Sequence, residues 1–334
     1  MRKILLSTVA LALVSSSLTA KESKVESKVP LLKFNGKHYL GFVHNSDKDI
    51  SKFETRRNYL QVKAYFDEES KNHFRLTLDT KDVDGSSNIR LKYAYLYLNL
   101  KKYLPFTAVE IGQVHKTWID YESKHGWSYR SISKVFAEKG ANLTKSADRG
   151  INFKTNMTNF SSEIGIFNGE GYSGEQSGKG LSLEGRLTYH VLGGGDKKPK
   201  ESSKYTNVSV FGEFNTKNEK YGAGDDYKWY GVHAVYNQKE FLVSTQYIAT
   251  IDAIDKYAGD GYSANAIYRF MKDWSLLARY DSFELEKDAS EEIRLIAGVS
   301  HRYSKHVEVV ANVIKSEKNS VDDTAFMLTA EVNW

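Results

Sequence analysis

Apolar residues occupy every even position at the end of the chain: Phe326, Leu328, Ala330, Val332 and Trp334 alternate with Met327, Thr329, Glu331 and Asn333. A period of two marks a strand whose two faces meet different surroundings. Segments of this kind recur, and they predict strands over residues 31–44, 54–67, 73–81, 89–99, 104–114, 148–156, 160–168, 180–191, 204–214, 227–237, 240–250, 260–270, 274–283, 292–303, 306–316 and 323–334. That is about sixteen, an even number of roughly bilayer-spanning length, and it predicts an all-β fold: a transmembrane antiparallel β-barrel. Gaps alternate between short ones, such as 237–239, 271–273 and 304–305, and longer polar ones, as expected for periplasmic turns and external loops. The gap at 192–204, with Gly193, Gly194, Gly195 and several lysines, breaks that rule and leaves the count open by one hairpin.

Parity assigns the faces. In the fourth segment Leu91, Tyr93, Tyr95 and Tyr97 share one side and Arg90, Lys92 and Ala94 the other, although the alternation fades at Leu96 and Leu98. In the eighth, Leu181, Leu183, Leu187, Tyr189 and Val191 oppose Ser182, Glu184, Arg186 and His190; in the twelfth, Tyr262, Ala264, Ala266, Tyr268 and Phe270 oppose Asn265 and Arg269. A charge on the lipid face costs roughly 2–4 kcal/mol at mid-bilayer, so the charged faces are expected to line a wet interior. A barrel of about sixteen strands is too wide for side chains to fill and is expected to hold an aqueous channel.

The N-terminal region agrees with export. Arg2 and Lys3 precede the apolar run from Ile4 to Val14 and small residues up to Ala20, the three parts of a secretory signal peptide over 1–20. Residues 21–30 then form a short periplasmic segment and 31–334 the barrel. Lipid of the bacterial outer membrane is one expected partner. The barrel-insertion machinery is another, because Phe326, Leu328, Val332 and the terminal Trp334 resemble the signal it reads. The sequence contains no cysteine, so no disulfide framework is available, and 43 aromatic side chains, 22 Tyr, 16 Phe and 5 Trp, suit a barrel wall. The net charge of +5, near +3 without Arg2 and Lys3, is too mild to argue for nucleic acid.

Several segments resemble a known family. Thr55-Arg56-Arg57-Asn58-Tyr59-Leu60-Gln61-Val62-Lys63-Ala64, Phe74-Arg75-Leu76-Thr77-Leu78-Asp79-Thr80, Leu91-Lys92-Tyr93-Ala94-Tyr95-Leu96 and Ile111-Gly112-Gln113 are similar to the opening of the phosphate-selective porin O and P family. The resemblance spans residues 31–170 and implies a sixteen-stranded, trimeric, anion-preferring channel. Residues 21–30 depart from the family, being too brief for an N-terminal coiled coil.

The longest gap, 115–147, is the third long loop. Loops above roughly 12–15 residues are usually functional or disordered, and Trp118, Ile119, Tyr121, Trp127, Tyr129, Ile132, Val135 and Phe136 argue against disorder. Ile132, Val135 and Phe136 have the spacing of a short helix with one apolar face. In general porins the third extracellular loop folds inward, and on that pattern Lys116, Trp118, Asp120, Glu122, Lys124, Arg130 and Lys134 belong to a constriction. An external loop packed on its neighbours is the competing reading.

Expected lumenal bases are Arg57, Lys63, Arg75, Arg90, Lys92, Lys154, Arg186, Arg269, Arg279 and Arg294; expected lumenal acids are Asp79, Glu110, Glu163, Glu184, Glu213, Asp281, Glu308 and Glu331. The totals nearly cancel, but the second to fourth segments carry five bases against Asp79 alone. Rings of Arg and Lys favour anions, so small anions or hydrophilic solutes are the expected cargo; a salt-bridge mesh that only solvates the wall is the alternative. No zinc-binding His-Glu-x-x-His, no Gly-x-Ser-x-Gly elbow and no phosphate-cradling loop is present, and Asp82-Val83-Asp84-Gly85 reads as an Asp-Gly turn. The sequence calls for no cofactor or metal. An outer-membrane hydrolase and a non-conducting adhesin are the rival functions.

Overall fold

The computed structural model describes residues 30–67, 69, 71–83, 86–175, 179–218, 226–287, 290–319 and 321–334. The expected signal peptide over 1–20, residues 21–29, and Asp84 and Gly85 of the expected Asp-Gly turn lie outside the described residues.

Alternation of apolar and polar residues gives each strand one face for each side of a sheet, and only a closed sheet leaves no backbone edge unpaired. The strands are β1 (Leu31–Asn45), β2 (Ile50–Tyr65), β3 (His73–Val83), β4 (Ser86–Asn99), β5 (Thr107–His115), β6 (Ala147–Asn156), β7 (Phe160–Phe167), β8 (Ser182–Leu192), β9 (Tyr205–Asn215), β10 (Tyr227–Asn237), β11 (Phe241–Ile251), β12 (Gly259–Met271), β13 (Trp274–Leu285), β14 (Glu291–Ser304), β15 (Val307–Lys318) and β16 (Val321–Asn333). Each pairs antiparallel with its neighbours and β1 pairs with β16, so the barrel is closed. β8 and β9 pair directly, so residues 193–204 add no hairpin and the open count settles at sixteen. The loops at the other end are not uniformly long. β2 and β16 begin earlier than the alternation suggests, leaving only 46–49 between β1 and β2 and 319–320 between β15 and β16.

The terminal aromatic closes the seam. Gly36 N–H donates to the Trp334 carbonyl at 2.9 Å and Trp334 N–H returns the bond to Gly36 O at 3.1 Å. The indole lies over Gly36, where a Cβ would sit 2.3 Å from ring atoms, so any larger residue would have to displace the indole from the seam. The indole N–H also donates to His38 Nε2 at 3.1 Å. Phe326 and Leu328 face outward at 51% and 53% exposure, whereas Met327 and Thr329 point inward at 6% and 0%. Outward Leu183, Leu187, Val208, Val210, Val232 and Val243 continue the belt around the wall. An exposed apolar band of this extent is what a lipid-facing surface requires.

Two β-bulges correct the parity reading. Tyr39 pairs with Arg57 and Leu40 with Thr55, which leaves Arg56 as an extra residue in β2. Thr77 pairs with Tyr93 and Leu78 with Leu91, which leaves Lys92 as the extra residue in β4. A bulge adds one residue to one strand, so the faces switch beyond it. Tyr93, Tyr95 and Tyr97 therefore face the interior, and Ala94, Leu96 and Leu98 take the outer side, the reverse of the expectation for this stretch. The fading alternation at Leu96 and Leu98 was the visible trace of this switch.

The interior is only partly the charged, wet lumen expected. Inward-facing Phe211, Trp229, Ile248, Ile267, Leu277, Phe283 and Ile296 from β9 to β14 form one hydrophobic core with Trp118, Ile119, Trp127, Ile132, Val135 and Phe136 of the long loop. Fully burying a side chain of this size is worth about 1.5–3 kcal/mol, so this half of the barrel is filled rather than solvated.

The bulge in β4 has a direct test in single-cysteine variants, which have no background because the sequence lacks cysteine. Tyr93→Cys in bilayers is expected to react with a charged, membrane-impermeant thiol reagent and Ala94→Cys to resist it. The opposite pattern would restore the simple parity.

Candidate functional site

The segment between β5 and β6 carries α1 (Thr117–His125) and α2 (Phe136–Lys139). The expected helix over 132–136 is not one: Ile132 is buried in a turn, its N–H donating to the Tyr129 carbonyl, Val135 is buried but extended, and α2 begins only at Phe136. Both helices are short, and packing holds them where propensity would not. The Trp118 ring stacks on Phe211 with centroids 3.6 Å apart and planes at 1°. Tyr129 Oη lies 2.9 Å from Ser300 Oγ on β14, Gln246 of β11 donates to Glu122, and Arg279 of β13 donates to the Lys134 carbonyl at 2.8 Å. From the opposite side Arg56 of β2 donates to the carbonyls of Ser131 and Ile132 at 3.0 Å each. The segment is thus fastened to strands all around the barrel and lies inside it.

One ion cluster anchors its start. The Lys116 ammonium sits between Glu184 (2.5 Å) and Glu213 (3.0 Å), and Glu213 also accepts from Ser182 Oγ and Trp229 Nε1. Burial works against the charge, but Glu184 and Glu213 hold the Lys116 ammonium above the usual lysine range. Within the segment Arg130 pairs with Glu138 at 2.6 Å; burial opposes the carboxylate, and Arg130, with Lys134, holds it down at about 2.

The polar half of the interior lies between α1 and the wall from β1 to β8. Two cavities, of about 480 and 270 Å3, meet at Arg75, His115, Asp120 and Lys124, which line both. Arg75 donates to Thr77 Oγ1, the Tyr95 hydroxyl and His115 Nε2 at 3.1–3.2 Å, and its guanidinium lies 4.6 Å from the Tyr93 ring. Asp120 pairs with Lys124 at 2.6 Å; burial opposes its charge, while Lys124, then His115 and Lys154, hold the carboxyl well below its usual range. Lys92 is 1% exposed, donates to Ser146 Oγ and places its ammonium 3.8 Å from the Tyr172 ring. No carboxylate among the described residues lies within ion-pairing distance of Arg75 or Lys92. The tyrosine faces hold these two cations instead.

The other residues singled out in the sequence divide by surroundings. Arg90 and Arg57 share Asp79, at 2.8 and 3.5 Å. Lys154 bridges Glu110 and Glu163, and Arg186 also reaches Glu163. Lys63 lines the smaller cavity, and Lys37 of the larger one pairs with Glu331. Arg269 is tied at the short-turn rim to Gln238 O and Asn237 Oδ1. Glu184, Glu213, Arg279 and Asp281 face inward but are covered by the long segment, so they hold it rather than line open space; Arg279 pairs with Asp281 at 2.7 Å. Arg294 lines a separate cavity at the long-loop end with Arg56 and Lys139, and Glu308 points inward near Ser300. Sequence parity missed Arg56, which the β2 bulge turns inward; the unbroken polar run from Glu54 to Asn58 was its one signal.

No protein-family model and no curated protein matches the chain. Solved structures do match in fold. Salmonella typhi OmpF, in complex with daunomycin, superposes with a TM-score of 0.66 at 11% identity over 93% of this chain and 99% of that one. An anion-selective porin from Comamonas acidovorans gives 0.64 at 12% identity over 91% and 99%. OmpT of Vibrio cholerae, an outer membrane protein in a trimer form, gives 0.64 at 12% identity over 92% and 100%. The architecture is that of the bacterial outer-membrane porins.

Glu122 makes the docking of α1 depend on pH. Burial pushes its carboxyl up from 4.5 to about 7, against the pull of Arg279 and the Gln246 bond. An acid with a raised pKa holds its proton more tightly in the docked state, so the full stabilisation is present below about 4.5 and is lost as pH rises through about 7. At about 1.36 kcal/mol per pKa unit, the loss is of order 3 kcal/mol. With 5-fluorotryptophan incorporated, the fluorine resonance of Trp118 is expected to gain a second, undocked population as pH rises from about 4.5 through about 7, and Glu122→Gln to abolish that change. The same pH response in both proteins would contradict the assignment.

Proposed function

We propose that the protein is an outer-membrane porin, a water-filled pore for passive diffusion of small hydrophilic solutes and ions with a weak to moderate preference for anions. One observation carries the preference: the larger cavity is lined by Lys37, Arg75, Lys92, Lys124, Arg130 and Lys198, with Asp120 as its one acidic lining residue. Charge counted along the whole chain conceals this, because Asp79 neutralises Arg57 and Arg90, and Glu110 and Glu163 neutralise Lys154 and Arg186. Arg75 and Lys92 keep no carboxylate partner among the described residues: Arg75 lines both cavities and Lys92 lies buried directly beneath the wall of the larger one, both seated on tyrosines in a region of reduced dielectric where each charge reaches further than in bulk water. The long segment sets the narrowest passage on this reading, since it fills the β9–β14 half of the barrel and leaves a passage between α1 and the wall that carries those cations.

Export by the N-terminal signal, residence in the outer membrane and assembly as a trimer follow from the same reading. The porin architecture, the apolar outer belt and the trimer form of the Vibrio cholerae protein support it. The cation set suits small anions as a class, phosphate among them.

Reversal potentials in a salt gradient test this reading. The wild-type channel is expected to prefer anions at low salt and less so at high salt, since the Debye length shrinks to around 8 Å at about 0.15 M. Arg75→Gln with Lys92→Gln is expected to move the reversal potential towards cation preference with the barrel intact, because lumenal substitutions tune selectivity. Wild-type cation preference at low salt would overturn it.

A further inference from the structure

The turns 272–273 and 305–306 are as short as a hairpin allows, yet at the same end of the barrel β8 and β9 are joined by residues 193–204. These residues cross the mouth instead of hanging from it. Gly193, at φ +80, supplies the backbone conformation that starts the reversal, and Gly195 packs so closely on the Met157 carbonyl that a Cβ would lie 2.4 Å away. Three tethers then hold the segment. Arg302 of β14 pairs with Glu201, Asn237 of β10 donates to the carbonyls of Glu201 and Ser203, and His125 Nε2 of α1 donates to the Asp196 carbonyl at 3.0 Å. Beyond them Lys198 reaches the cavity bounded by Asn35, Lys37 and Trp334 of the β1–β16 seam, half the circumference away from β8 and β9.

The crossing delivers charge to both cavities: Lys197 lines the smaller one, opposite Lys63, and Lys198 the larger. Neither lysine has a carboxylate within ion-pairing distance among the described residues, and both are exposed. Two ammonium groups held across an opening without a carboxylate partner add to the positive potential of the passage.

We propose that residues 193–204 form a second narrowing at the short-turn end of the pore, and that Lys197 and Lys198 are specificity-determining residues that favour small anions there, in series with Arg75 and Lys92. This rests on the porin reading. It makes the two ends of the pore unlike: ions leaving by the short-turn end pass a cationic strap, and ions entering at the other end do not meet it first.

Two measurements on the full-length protein in planar bilayers test the strap. Lys197→Gln with Lys198→Gln is expected to lower the anion-to-cation permeability ratio about twofold at low salt while part of the anion preference survives on Arg75 and Lys92. In Lys198→Cys, an anionic methanethiosulfonate reagent is expected to react from the short-turn side and to reduce anion current several-fold, with no reaction in the cysteine-free parent. An unchanged ratio in the double glutamine variant, or modification of residue 198 without change in current, would overturn the inference and leave the porin reading standing. A wild-type protein that passes no current would instead remove the porin reading itself.

Discussion

A ring of sixteen hydrogen-bonded strands encloses more volume than its own inward side chains can fill, and the segment between β5 and β6 takes up that space unevenly. It lies against the apolar inward faces of β9 to β14 and leaves the opposite wall open. Which side is filled follows from composition: Phe211, Trp229, Ile248, Ile267, Leu277 and Ile296 offer a surface that water would hydrate poorly, whereas β2 to β8 offer Arg, Lys, Tyr, Asp and Glu. Lys116 fixes the register of this docking. Leaving Glu184 or Glu213 buried without it would cost about 3–5 kcal/mol, so the start of the segment has one place to sit.

The open side owes its charge pattern to irregularities in the sheet. Each bulge turns two consecutive residues inward, Arg56 with Arg57 and Lys92 with Tyr93, which crowds cations and aromatic rings onto one patch of wall. Asp79 absorbs two of the guanidinium groups. Arg75 and Lys92 are held by hydroxyl groups and ring faces, contacts that keep a cation in place without cancelling its field. A regular strand would have sent Tyr93, Tyr95 and Tyr97 to lipid and left these cations without those partners.

The strands could be read from the sequence because lipid on one face and polar groups on the other impose a period of two, and that holds through β8, β12 and β16 without exception at the residues that define them. Parity failed where a local insertion resets it: Tyr93 to Tyr97 were placed on the wrong face, and Arg56 was passed over. The fates of Arg279, Glu184 and Glu213 were not legible for a different reason. Their inward direction follows from parity, but whether water or a folded-in segment meets them depends on residues far away in sequence. The 193–204 gap was visible as an anomaly of length, and only the tethers at Arg302, Asn237 and His125 show where it goes.

In a divided interior of this kind, anions are confined to the tyrosine and lysine wall. Anomalous scattering from crystals soaked in bromide tests it most directly. Bromide peaks are expected beside Arg75, Lys92 and the Tyr93 face, and none between α1 and the inward residues of β9 to β14. Halide sites within that apolar half, or an absence of halide along the β2–β4 wall, would contradict the account.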